Sequence, residues 1–277
     1  MQWMARESTG DRIADSEFGA ASGPVSDIGR GFLTGYSRSR LWNKAWRESR
    51  VRFLLILTVL VSTLLYAVLF YRPDEPYHEH VWKIVYSGKA KGLFAMLVLF
   101  LGLGGLLRER AHHTTTFTLV LPVSRLELVI SHILVGLIQV AVLSLLPAFS
   151  LTALSPLVHQ SYRAFEALQY SILWFVCGSL IFSLAYLSSV IFAGEYTAPA
   201  VAFTAMFSYL LLAGIRPLRP YRLNFLVTMS GLESLHVGSA PEYLFTGHLP
   251  WMKLLVISFV AAGFLVIASR ITERQDF

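Results

Sequence analysis

Residues 168–193 read LQYSILWFVCGSLIFSLAYLSSVIFA, a run of twenty-six positions without a charged side chain. At 1.5 Å per residue, a helix of this run exceeds the roughly 30 Å hydrocarbon core of a bilayer. The run is apolar on every face, whereas the strands of a closed barrel alternate over about ten residues. It therefore predicts a helix that crosses a membrane.

Five further runs of the same kind flank it: Phe53 to Tyr71, Gly92 to Leu107, Leu128 to Leu151, Ala198 to Gly214 and Trp251 to Ala268. The composition agrees: 55% of the 277 residues are hydrophobic and 14% are charged. Mean hydropathy is +0.58, well above what the core of a water-soluble domain requires. The expected fold is all-α, a polytopic membrane protein with six transmembrane helices. The single cysteine, Cys177, lies inside the fourth run and has no partner for an internal disulfide, so it reads as a small packing residue.

Residues 1–37 carry six glycines and mixed charge with no apolar segment, and are expected to form a disordered cytosolic tail. The six-span permease domain then occupies 38–277. Just before the first span, RSRLWNKAWRESRV (38–51) places Leu41, Trp42, Ala45 and Trp46 on one helical stripe and most of its basic residues off it. That pattern predicts an N-terminal interfacial elbow helix, with Trp42 and Trp46 at headgroup level. A basic flank anchoring the first span is the alternative.

Lys and Arg fall unevenly. With the N-terminus cytosolic, fourteen of the 23 lie on the inner side and nine on the outer, so both termini are expected in the cytoplasm of a cell whose inner or plasma membrane holds the chain. The net charge of +6 suits an anionic membrane face; no basic run with interleaved aromatics outside the tail points to nucleic acid. On the outer side, the extracytoplasmic loop 215–250 contains NFLVTMSGLESLHV (224–237), too short and too polar to cross, and reads as a re-entrant piece or a structured loop.

Between the second and third runs lies a polar, basic island, RERAHHTTTFTLVLPVSR (108–125). Ser124 and Glu127 form the spacing of a reciprocal helix cap, with Val123 and Leu128 as its hydrophobic staple, so the third span is expected to start near Arg125. Pro122 keeps the preceding segment from running straight into that helix. Upstream, Arg108, Glu109 and Arg110 leave the membrane at the C-terminus of the second helix, where arginine is favoured. The segment between is read as a short surface helix capped by Thr114 or Thr115.

This island resembles the signature of type-2 permeases of ATP-binding cassette (ABC) transporters. The matching residues are Glu109, Thr114, Leu119, Pro122, Ser124 and Arg125; His113 stands where the family has glycine, and His132 where a lysine follows. The resemblance implies that segment 108–127 is a coupling helix seated on a separate cytosolic ATPase. Arg108, Glu109 and Arg125 would then make polar contacts to that partner, and Thr114 and Pro122 would shape the segment. It further implies a second permease, identical or not, an export path between the two, and no cofactor on this chain, with ATP and Mg on the partner.

The chain lacks the means to do such work alone. The six runs hold almost no ionisable groups, which a gradient-driven transporter needs inside its spans. No phosphate loop exists: Gly88-Lys89 has Lys83 at the first glycine position and Ala90 after it, and GLGG (102–105) follows no strand. The pattern His-Glu-x-x-His is absent, so the eight histidines suggest no zinc site. His132, near the inner end of the third span, is the histidine most worth probing. Two other classes stay open: an ATP-independent channel or facilitator, and an intramembrane enzyme that uses His132.

Overall fold

A computed structural model describes residues 27–71, 73–103, 125–192, 194, 196–215, 224–232 and 247–274. By its contacts the chain divides into residues 1–36 and 37–277, and the helical bundle belongs to the second unit. All regular structure among the described residues is helical: α1 Asp27–Leu69, α2 Tyr77–Val81, a π turn Trp82–Tyr86, α3 Lys89–Gly102, α4 Arg125–Leu154, a 3₁₀ turn Ser155–Val158, α5 Ala164–Ile191, α6 Thr197–Gly214, α7 Phe225–Met229 and α8 Trp251–Arg274. Six helical stretches are long and apolar enough to cross a membrane: Ser49–Leu69, Tyr77–Gly102, Leu126–Val158, Ala164–Ile191, Thr197–Gly214 and Trp251–Arg274.

Two boundaries differ from the sequence expectation in ways that matter. The second apolar run was expected to start at Gly92, but the helical stretch that holds it already begins at Tyr77. Tyr77, Val81 and Val85 recur every fourth residue and are buried, together with Tyr86, so the segment has an apolar stripe that its charged neighbours Glu79 and Lys83 disguise. The helix is interrupted at Ser87 and Gly88, where a side chain on Gly88 would collide with the Lys83 carbonyl. The fourth span begins at Ala164 instead of Leu168, and this brings Glu166 into the bundle. Helix α4 is described from Arg125 onward, and the expected cap at Ser124 lies outside the described residues.

Residues 38–51 are helical and run into the first span without a break, since no glycine or proline separates Arg38 from Leu69. Residues 1–26 lie outside the described residues, and 27–37 belong to α1.

Helix α5 is the axis of the bundle. It packs along α4, α8, α3, α6 and α7. Lipid tails are as apolar as leucine, so helices in a bilayer associate through close packing of small residues, not through a hydrophobic force between them. At Gly102 a Cβ would lie 2.7 Å from the Phe182 carbonyl oxygen and 2.8 Å from the Ala185 Cβ, and at Gly178 it would meet the Phe94 ring at 3.1 Å. The buried hydroxyls of α5 add little between helices. Ser171 donates to the Ala167 carbonyl at 3.0 Å, Ser183 to Leu180 at 2.8 Å and Ser188 to Leu184 at 2.9 Å, so each is satisfied inside its own helix. Their value is their size. In α4, Pro147 removes the donor that would reach the Leu143 carbonyl, a cost that a buried membrane helix tolerates.

Candidate functional site

The bundle has two ends. Gly102, Arg125, Ile191, Thr197 and the C-terminus of α8 mark one, here the near end; Leu69, Tyr77, Leu154, Ala164, Gly214 and the N-terminus of α8 mark the far end. Of the residues expected to contact an ATPase, Arg108, Glu109, Thr114, Pro122 and Ser124 lie outside the described residues, as does the side chain of Arg125, whose backbone heads α4. What the structure describes is their support. The segment joins α3 to α4, and both flank α5.

Beside that support is a small crevice of about 30 Å³, room for about one water, whose mainly apolar lining, with Val135 and Phe182, also holds Ser49, Arg52, His132 and Gln139. Gln139 is buried, and its Nε2 donates to Ser49 Oγ at 2.7 Å, tying α4 to α1. Its Oε1 is buried with no partner among the described residues, an atom of the kind that one trapped water satisfies. His132 is half-buried, and its Nδ1 donates to the Leu128 carbonyl at 3.0 Å, so a neutral ring presents Nε2 as an acceptor. His132 thus joins the α1–α4 seam in place of standing alone on a lipid face. Trp42 and Trp46 are about two-fifths exposed while Ala45 between them is buried; Trp46 packs on Phe53 with ring centroids 5.9 Å apart.

The far end holds a cluster that the sequence reading passed over. Glu166, Tyr170 and Trp174 stand four residues apart on one face of α5, all buried. Tyr86 stacks on Tyr170 with centroids 3.7 Å apart and planes 14° apart, and Phe94 lies 4.6 Å from Trp174. His78 stacks on Tyr162 at 5.2 Å. Arg163 reaches Glu166 at 3.6 Å, and the N-terminus of α5 favours a carboxylate in its first turn. Burial pushes the Tyr162 phenol well above its ordinary value, which keeps it neutral. Tyr77 and Ser155 share a hydrogen bond of 2.7 Å, and the Trp82 indole donates to the Ser230 carbonyl at 2.9 Å. These bonds bind the second span to the third span and to α7. The four-residue repeat from Glu166 was the available signal, hidden because Glu166 itself appeared to end the apolar run.

Within loop 215–250, α7 occupies part of the segment read as re-entrant or structured loop. Asn224 caps it, its side chain accepting from the Leu226 amide at 3.0 Å.

A larger feature opens on the outside of the bundle. Helices α6 and α8 both pack on α5, and between them runs a cleft of about 520 Å³ floored by Leu180, Ile181 and Leu184. Its walls are apolar except at the far end, where Lys253 and Thr228 lie.

Among the described residues, no group of three or more His, Cys, Asp or Glu is arranged to hold a metal ion. No protein-family model matches the chain, and no curated protein matches it.

Proposed function

We propose that this chain is the membrane-spanning subunit of a type-2 ATP-binding cassette exporter, coupled through segment 108–127 to a separate cytosolic ATPase. The observation that carries the reading is where this segment sits in the topology. It joins α3 to α4 at the near end, where Gly102 seats against Phe182 and Ala185 of the central helix. With no slack between those backbones, force on the segment reaches α5 directly.

A second support is the scarcity of buried charge. Glu166 is the one charged side chain buried among the described residues, and it lies in the first turn of α5, far from mid-bundle. Gradient coupling requires a titratable site within the membrane, so the energy is assigned to a partner. In this reading both termini and segment 108–127 face the cytoplasm, and the stretch 38–51, one helix with the first span, places Trp42 and Trp46 at the inner headgroup level. The chain pairs with a second permease, and two ATPase copies supply ATP and Mg. Their closure pushes on the segment and rocks the first and second spans against the fifth, opening a path between permeases. The chain itself is no enzyme.

The test replaces Glu109 and Arg125 with alanine and measures ATPase stimulation by the permease and copurification of the ATPase from detergent. Both are expected to fall. Unchanged stimulation together with unchanged copurification overturns the assignment, and uphill transport by the purified chain in vesicles without an ATPase overturns the whole reading.

A further inference from the structure

Four helices meet at the crevice beside Gly102: α1 through Ser49 and Arg52, α3 through Gly102 itself, α4 through His132 and Gln139, and α5 through Phe182. Ser49 fixes how the Gln139 amide is turned. Its Oγ donates to the Ala45 carbonyl at 2.9 Å, so toward Gln139 it can only accept, and it does so from Nε2 at 2.7 Å. Oε1 is therefore the branch turned from Ser49. That oxygen is buried with no partner among the described residues, on a side chain only 1% exposed. Buried hydroxyls of the bundle close on their own helix, as Ser144 does on the Ala141 carbonyl at 2.8 Å and Ser189 on Tyr186 at 2.7 Å. An amide oxygen has no such outlet, because it only accepts and the backbone donors inside a helix are already used.

We infer that the crevice is a binding site for one water molecule, which donates to Gln139 Oε1 and makes the α1–α4 contact a hydrated joint. Size and chemistry select this occupant. A space of about 30 Å³ admits one water and no organic molecule. Arg52 in the lining opposes a metal cation and the amide oxygen opposes an anion, whereas a neutral molecule that both donates and accepts suits the two together. A trapped water needs roughly two to four polar neighbours, and Ser49, Arg52 and His132 stand in the same lining as Gln139. The consequence is mechanical. A direct amide–hydroxyl bond holds α1 at one position on α4, whereas a water passes its bonds among neighbouring groups at little cost when the helices shift. The inference does not rest on the ATPase-coupled reading, because the amide oxygen needs a donor whatever drives the chain.

The experiment is X-ray radiolytic footprinting of the purified full chain in detergent, in heavy-oxygen water, with mass spectrometry to locate the labelled residues. Radicals formed from a bound water oxidise the side chain beside it. Two buried phenylalanines make the comparison: Phe182 lines the crevice, and Phe94 packs on Trp174 away from it. Label is expected on Phe182 and not on Phe94. After rapid mixing into heavy-oxygen water, label is expected on Phe182 later than on the exposed Tyr196, since a bound molecule exchanges more slowly than bulk solvent. Gln139→Leu is expected to abolish the Phe182 label, and Gln139→Met, closer to glutamine in shape, makes the same test should the leucine variant fail to fold. No label on Phe182 in the wild-type chain overturns the inference. So does label on Phe182 that survives either substitution, or that appears as fast as label on Tyr196.

Discussion

Helices α5 and α8 are both unbroken apolar segments, and α8 is the more apolar of the two, yet 61% of the membrane-spanning window of α5 is buried against 17% for α8. Hydropathy therefore does not rank membrane helices by burial. What separates them is the size of the side chains at the contacts. Ala167, Ser171, Gly178, Ser183, Ala185 and Ser189 let neighbours approach α5 from several directions. Helix α8 buries only a narrow stripe, Leu254, Ala261, Ala268 and Thr272, and turns Val256, Phe259 and Val266 outward. In water both faces would be driven inward; in lipid only packing distinguishes them.

The largest effect that would break this comparison comes from Trp174, fully buried in α5, against Phe259, 78% exposed on α8. Trp174→Ala leaves a cavity and is expected to cost about 3 kcal/mol, the lower end of the range for such changes because no transfer from water is involved. Phe259→Ala is expected to stay within about 0.5 kcal/mol. Thermal unfolding in detergent, followed by circular dichroism, measures both, and equal losses would refute the packing account.

Next comes a pair of glycines. Gly102→Val must push backbone against backbone and is expected to cost about 1–3 kcal/mol, while Gly263→Val, where nothing lies within 4 Å, is expected to be neutral. The same unfolding midpoints decide it. The smallest effect sharpens the point about size: Ser183→Ala keeps the close approach and removes only a bond internal to α5, so stability is expected to change by less than about 0.5 kcal/mol. A loss of 2 kcal/mol or more would mean that the hydroxyl itself joins the helices.

Much of the fold was legible along the chain. The six runs stood out because an almost uncharged stretch of that length has one stable setting, and each corresponds to a helix long and apolar enough to cross a membrane. The failures were at charged ends. Glu79, Lys83 and Glu166 made helical turns look like loops, although Lys83 meets Glu79 at 2.8 Å one turn away and Glu166 meets Arg163. At the candidate site, the residues of segment 108–127 were found by their order alone, whereas the crevice of Ser49, His132 and Gln139 joins positions ninety residues apart in the chain. No local pattern announces such a pair.

By itself the amino-acid sequence determined that this chain is helical, with six segments long and apolar enough to cross a membrane, because backbone polar groups in hydrocarbon must be satisfied within each segment. Which of the six helices became the axis, which glycines carry contact and which apolar faces stay outside the bundle were decided only by the tertiary structure. Those choices depend on the shape complementarity of surfaces far apart in sequence, and all six helices look alike to a solvent that is as apolar as they are.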